Sequence, residues 1–168
     1  MKLKGKAFKF GDDINTDLII SGKYKFKTLD MKKLAEHVLE DARPDFYDEI
    51  SPGDFIVAKK NFGCGSSREQ APLAIKFANI SGVIAESFAR IFYRNAINVG
   101  LPVIICEEAD KIDEGDMLTV NLEKGKIVDE TKGIELSSSP IPPFMMEILN
   151  DGGLIEYFNK GKGFDKVM

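Results

Sequence analysis

The chain has no tryptophan, a single histidine, His37, and only two cysteines, Cys64 and Cys106. Two thiols far apart in sequence make no disulfide framework, and a bridge between them is not expected in a reducing cytosol. Nor are they enough to hold an iron–sulfur cluster, which takes three or four thiolates, so the chain is expected to bind no metal of its own. No run of about 18 apolar residues is present, which argues against a membrane-spanning helix. The N-terminal MKLKGKAFKF alternates polar and apolar residues, unlike the apolar stretch of a signal peptide. There is also no excess of positive charge. Lys and Arg number 23 against 27 Asp and Glu, a net charge of -4, and the two signs are interspersed. That pattern offers neither a nucleic-acid surface nor a basic membrane face. A soluble, cytoplasmic protein is expected.

The sequence does have enough apolar residues for a core, at 43% hydrophobic over 168 residues. This length fits one domain spanning residues 1–168, with about 161–168 as a flexible tail. Hydrophobic period alternates along the chain. KLKGKAFKF reads as a strand and GDDINTD as a turn-rich loop. LDMKKLAEHVLEDA spaces Leu29, Leu34, Val38 and Leu39 as a helix that stops before Pro44. His37 falls on the exposed face of that helix. A short strand is expected at Phe55 to Ala58, a glycine-rich loop after it, and then a helix carrying Leu73, Ala74, Phe77 and Ala78. GVIAESF and LPVIIC are compact apolar strands separated by the helical ARIFYRNAINVG, which predicts a parallel βαβ crossover. Beyond Glu107, EGDMLTVNLEKGKIVDETKGIEL alternates and turns at Lys124-Gly125, an antiparallel hairpin or meander. A helix, a Gly-Gly break and a second short helix close the chain. The fold class is α/β: one mixed sheet with a parallel βαβ core and an antiparallel hairpin.

The stretch most open to chemistry is NFGCGSSREQAP, Asn61 to Pro72. Gly63 and Gly65 allow a backbone to approach a ligand closely, and a helix N-terminus beyond them offers unpaired N–H groups to an anion. The spacing is not that of a P-loop, which needs four residues between its glycines and a lysine before the hydroxyl. It is not a nucleophile elbow either, because no glycine stands two residues after Ser66. What remains is a pair of hydroxyls, Ser66 and Ser67, beside the guanidinium of Arg68, which can grip a carboxylate through two parallel hydrogen bonds. Donors of this kind could also stabilise an ionised serine. Ser67 and Gln70 have capping-box spacing, although Pro72 places the regular helix a little later. A tight strand-to-helix turn with ordinary capping accounts for the same residues.

GDDINTD, RPDF, PGD, KNFGCGSSRE, GVIAESFARIFYRNAINVGLP and the closing GGLIEY together resemble the small subunits of the isopropylmalate dehydratase and homoaconitase family, which are similar to the swivelling domain of aconitase. The resemblance covers nearly the whole chain. It implies a swivelling β/β/α domain and a hydro-lyase active only with a large subunit that carries a [4Fe–4S] cluster. It also implies Ser66 as the base that removes a carbon-bound proton and Arg68 as the carboxylate-binding group, with Ser67 as a supporting substrate contact. Asp17, in the Asn-Thr-Asp turn, supports the site or caps its loop. Arg90 and Arg94, one helical turn apart, order the active-site loop, face the large subunit or are plain surface residues. The position of Cys64 varies in the family, and a buried neutral thiol is expected there.

The reaction implied is the isomerisation of 2- to 3-isopropylmalate in leucine biosynthesis by dehydration and rehydration. Homoaconitase and dehydratases of methylated malates or citraconate are close alternatives, and a non-catalytic anion-binding module is a different one. Aconitase-like domains bring a further arginine to the substrate after the Asn-Thr-Asp turn. Here the chain reads SGKYKFKT, with no arginine. The residues expected to read the variable end of the substrate are therefore Lys23, Tyr24, Lys25, Phe26, Lys27 and Thr28: Tyr24 and Phe26 turned inward would form an apolar pocket, the favoured outcome, whereas a lysine turned inward would pair with a third carboxylate.

Overall fold

A computed structural model describes residues 1–25 and 30–162. Its seven-stranded sheet changes character in the middle, at β1 (Lys2–Lys9). On one side of β1 run three parallel strands, β2 (Phe55–Ala58), β3 (Gly82–Ala85) and β4 (Val103–Ile105). On the other lies an antiparallel meander of β5 (Met117–Asn121), β6 (Lys126–Asp129) and β7 (Ile134–Ser137). The spatial order is β4-β3-β2-β1-β5-β6-β7.

Composition explains the division. β2 and β3, FIVA and GVIA, are buried at every position, as strands covered on both faces must be. β5, MLTVN, alternates half-buried and buried residues and so has one face toward the core. The expected βαβ crossover is doubled: β2 leads through α5 (Gln70–Phe77) to β3, and β3 through α6 (Arg90–Val99) to β4. Between β1 and β2 lie four short helices, α1 (Thr16–Ile19), α2 (Gly22–Lys25), α3 (Met31–Ala35) and α4 (Phe46–Glu49). α5 packs against α1, α3 and α6, while α6 packs against α7 (Pro143–Asp151) and α8 (Leu154–Asn159). The break between α7 and α8 falls at Gly152 and Gly153, both at positive φ.

Two expectations need correction. The helix expected from Leu29 to Ala42 is regular only over Met31–Ala35, and turns follow it. Leu39 takes a left-handed conformation, φ 54, because its N–H donates to Ile19 O at 2.8 Å, a tertiary bond incompatible with continuing the helix. His37 is half-buried rather than on an open face: its ring stacks on Tyr24 with centroids 3.8 Å apart, and it bonds Glu40. At the start of the expected tail Lys162 Nζ pairs with Asp151 at 2.8 Å; residues 163–168 lie outside the described residues.

Candidate active site

The loops that leave the carboxyl ends of β1, β2 and β3 converge on one cleft of about 210 Å³. In open α/β sheets that end of the parallel strands is where ligands bind. β1 contributes Thr16, β2 contributes Gly63 and Gly65 to Arg68, and β3 contributes Ala89 to Phe92 with Asn95.

Hydrogen bonds between the loops hold them in register. Gly63 N–H donates to Ile14 O at 2.7 Å, and Thr16 N–H donates to Cys64 O at 2.9 Å. The Thr16 hydroxyl, on a residue only 2% exposed, donates to Ser66 O at 2.8 Å. Phe62 and Phe88 form a parallel bridge beyond the ends of β2 and β3, and Ala89 N–H donates to Phe62 O at 2.9 Å. Phe62 meets Phe92 edge to face beneath the loop, with centroids 5.3 Å apart. Gly63, at φ +83, lies so close to this aromatic floor that a Cβ would come 2.2 Å from Phe92 Cγ. Gly65, at φ +92, turns the chain over Thr16.

The loop presents Ser66 and Ser67 at the surface of the cleft. Among the described residues the Ser66 hydroxyl makes no hydrogen bond, while Ser67 Oγ accepts a long one, 3.5 Å, from Asn95 Nδ2. Arg68 is 19% exposed and forms an ion pair through Nη1 with Asp17. It also borders Gly22 at the start of α2. The capping box expected of Ser67 and Gln70 is not made: α5 starts at Gln70 from Glu69, with no side-chain cap. α6 opens onto the cleft from Ala89, also uncapped, so first-turn N–H groups without helical partners face the same space. Taken together, the cleft offers a free hydroxyl, a guanidinium and helix N-terminal amides, a set suited to a carboxylate and to developing negative charge.

Of the residues singled out in the sequence, Gly63, Gly65, Ser66, Ser67, Arg68 and Arg90 line this cleft. Asp17 reaches it through Arg68, and Arg94 stands one turn along α6, on a second groove. Lys23 and Tyr24 do not line it. Tyr24 stacks on His37 and donates to Glu40, whose carboxylate holds the phenol above its ordinary range, while Lys23 Nζ sits 4.9 Å from the Tyr24 ring centroid. The side chain of Lys25, and all of Phe26, Lys27 and Thr28, lie outside the described residues. Cys64 is half-buried rather than fully buried, and burial pushes the thiol of Cys106 up. Thr16 and Asn95 were not singled out from the sequence. The signal for Thr16 was its place between the α1 cap Asn15 and Asp17; Asn95 gave none beyond its position on α6.

Residues 13–108 match the family model of the aconitase C-terminal domain. The chain is 61% identical over 160 residues to the 3-isopropylmalate dehydratase small subunit 2 of Archaeoglobus fulgidus, covering 95% of this chain and 96% of that protein. The chain belongs to the family of 3-isopropylmalate dehydratase small subunits, built on the aconitase C-terminal domain. It is 55% identical to the family's member from Halothermothrix orenii over 96% of this chain and 98% of that one. The crystal structure of 3-isopropylmalate dehydratase from Methanocaldococcus jannaschii is similar throughout, with a TM-score of 0.91, 48% identity and coverage of 96% and 95%. The mixed sheet found here is thus the family's fold.

Proposed function

We propose that this chain is the small subunit of a cytoplasmic two-subunit hydro-lyase that interconverts 2- and 3-isopropylmalate in leucine biosynthesis. One observation carries the reading: the convergence of the loops after β1, β2 and β3 on one cleft, where a free Ser66 hydroxyl stands beside the Arg68 guanidinium. High identity to named small subunits supplies the substrate class.

The donor set of this chain does not fit an iron–sulfur cluster. It has only two cysteines, and among the described residues no three His, Cys, Asp or Glu side chains gather as metal ligands. We therefore assign the [4Fe–4S] cluster to the large subunit, where it would supply a Lewis acid for the departing hydroxyl. The work of this chain is binding and proton transfer. Arg68 is assigned a substrate carboxylate, which its planar guanidinium can grip, and Asp17 pairs with it through Nη1. Ser66 Oγ, ionised, accepts the carbon-bound proton; the pair left behind forms the C=C bond as hydroxide leaves the neighbouring carbon. Rehydration reverses these steps with the two carbons exchanged, and Ser66 returns the proton. The uncapped amides of α6 and the Arg68 charge favour the serine anion this requires. The loop from Lys23 to Thr28 is assigned the variable end of the substrate. Tyr24 would have to leave its stack on His37 to take part.

In the assembled enzyme, Ser66→Ala is expected to lower turnover by about 10²–10⁴-fold, the usual contribution of an acid–base group. Arg68→Lys should mainly raise KM, because it binds carboxylate throughout the reaction. Near-normal turnover of Ser66→Ala would remove the base assignment. Preference for homoaconitate, a methylated malate or citraconate would change the substrate, and anion binding without hydro-lyase activity would remove the enzyme reading.

A further inference from the structure

A second groove of about 280 Å³ runs between α6 and α7. Its walls are Arg90, Tyr93 and Arg94 on one side and Phe144, Met145 and Ile148 on the other. Arg90 lines both this groove and the active-site cleft, so the two form one continuous surface. Ile91, which also lines the cleft, is 51% exposed, and Phe144 is 37% exposed.

The charges on this surface are unbalanced. Of the chain's arginines, Arg43 pairs with Glu49 and Glu114, and Arg68 pairs with Asp17. Arg90 and Arg94 make no ion pair or hydrogen bond with any described residue, although the chain as a whole is acidic. They stand one turn apart on the same face of α6, beside exposed apolar side chains. Arginine and aromatic residues around an apolar floor are the composition of an interface centre rather than of solvent-facing surface.

We infer that the α6–α7 face, centred on Arg90, Arg94, Ile91 and Phe144, is where the large subunit docks, with carboxylates placed over the two arginines and an apolar ridge in the groove. The inference rests on the two-subunit reading above. A partner that brings a Lewis acid to the cleft must cover its mouth, and the mouth includes Arg90 and Ile91. From there the groove is the adjoining surface. A second copy of this chain fits poorly, because no acidic side chain lines the groove to meet the arginines of its twin.

The test uses the purified large subunit with its cluster loaded, and reads both its affinity for the small subunit and the small-subunit concentration that half-saturates activity. Charge reversal in Arg90→Glu/Arg94→Glu should raise the Kd and the half-saturating concentration by about 30-fold or more, equal to about 2 kcal/mol at 1.4 kcal/mol per tenfold. Phe144→Ser, on the opposite wall, should weaken binding without any change of charge. Raising the salt concentration should slow wild-type association, as charge steering requires. Circular dichroism of each variant checks that it is folded. Lys124→Glu/Lys126→Glu, on the antiparallel half of the sheet, should bind as wild type. Ser66→Ala should also bind as wild type while failing in turnover, which separates docking from chemistry. Undiminished binding by folded Arg90→Glu/Arg94→Glu overturns the inference, as does a self-dimer abolished by that variant with large-subunit binding intact. If wild type binds no large subunit, the two-subunit reading itself falls.

Discussion

Removing the hydroxyl of Thr16 tests how the loop that carries Ser66, the proposed base, is held. This side chain is buried, and its Oγ1 donates to Ser66 O at 2.8 Å, while the backbone bonds Thr16 N–H to Cys64 O and Gly63 N–H to Ile14 O remain available to any residue. Thr16→Val keeps the branched shape and deletes one donor. The Ser66 carbonyl then loses its partner, a change worth about 1–2 kcal/mol for a partly buried group. Because the root of the loop stays bonded, the loss should appear as freedom at Ser66 more than as global unfolding. If all of it is felt in the transition state, kcat falls about 5–30-fold, at 1.36 kcal/mol per tenfold. Arg68 is anchored separately by Asp17, so KM should move much less than kcat. Steady-state kinetics of the assembled enzyme give this split, and hydrogen exchange at residues 64–67 reports the loop directly. Thr16→Ser restores the donor and should recover most of the turnover. Wild-type kcat in Thr16→Val, with normal assembly, would refute the view that this hydroxyl positions the base.

Two further outcomes follow from groups outside the cleft. Lys76 Nζ donates to Val99 O at 2.7 Å and to Gly152 O at 2.8 Å, tying together the C-terminal ends of α6 and α7. Lys76→Met keeps the aliphatic stem and should reduce stability by about 2–4 kcal/mol in urea unfolding, since hydrogen bonds to charged groups contribute about 1.5–3 kcal/mol each; a loss below about 1 kcal/mol, within the range of a neutral hydrogen bond, would show that the link is dispensable. Asp129 is fully buried beside Asp116, and burial, then its hydrogen bond to Asp116, raises its carboxyl above the ordinary range. The folded state holds this proton more tightly than the unfolded chain. Its stabilisation is therefore full below the ordinary aspartate pKa of about 3.9 and is lost as pH rises through the raised value. Asp129→Asn cannot ionise and should remove that decline from the stability-versus-pH curve; an unchanged curve would contradict the assignment.

Much of this architecture is written in local sequence. β2 falls at Phe55–Ala58 because four apolar residues sit between a Pro-Gly turn and a lysine pair, and α6 ends at Gly100, which takes the left-handed cap that glycine favours. The glycine loop was also legible, since few residues other than Gly63 tolerate both φ +83 and contact with Phe92. What could not be read depends on partners distant in sequence. Leu39 leaves the helix because Ile19 offers a carbonyl there, and no periodicity in LDMKKLAEHVLEDA records that. Ser67 has the spacing of a cap, but α5 starts later, at Gln70, with Pro72 in its first turn and no side-chain cap. Tyr24 in SGKYKFKT carries no mark of the stack with His37 that draws it away from the site. Thr16 and Lys76 likewise act on carbonyls 50 and 23 or more residues away.

The two halves of the sheet divide the work. Parallel strands place successive loops at the same end, so three segments far apart in sequence arrive at one cleft. Antiparallel strands send alternate turns to opposite ends and gather nothing comparable. The meander instead covers the exposed edge of β1, through pairs from Lys2 with Asn121 to Lys6 with Met117, which fixes the strand whose C-terminal loop carries Thr16 and Asp17. Among the described residues, the helix that closes the cleft, α6, is also the one whose arginines have no acidic partners. The chain has only two cysteines, and its cleft presents a free hydroxyl, a guanidinium and an unpaired cationic helix at one edge, the edge from which the proposed partner would complete it. Under the docking inferred above, α6 serves twice, through the amides of its first turn toward substrate and through Arg90 and Arg94 toward the partner. Substitutions there should impair assembly and turnover together, whereas substitutions at Ser66 should impair turnover alone.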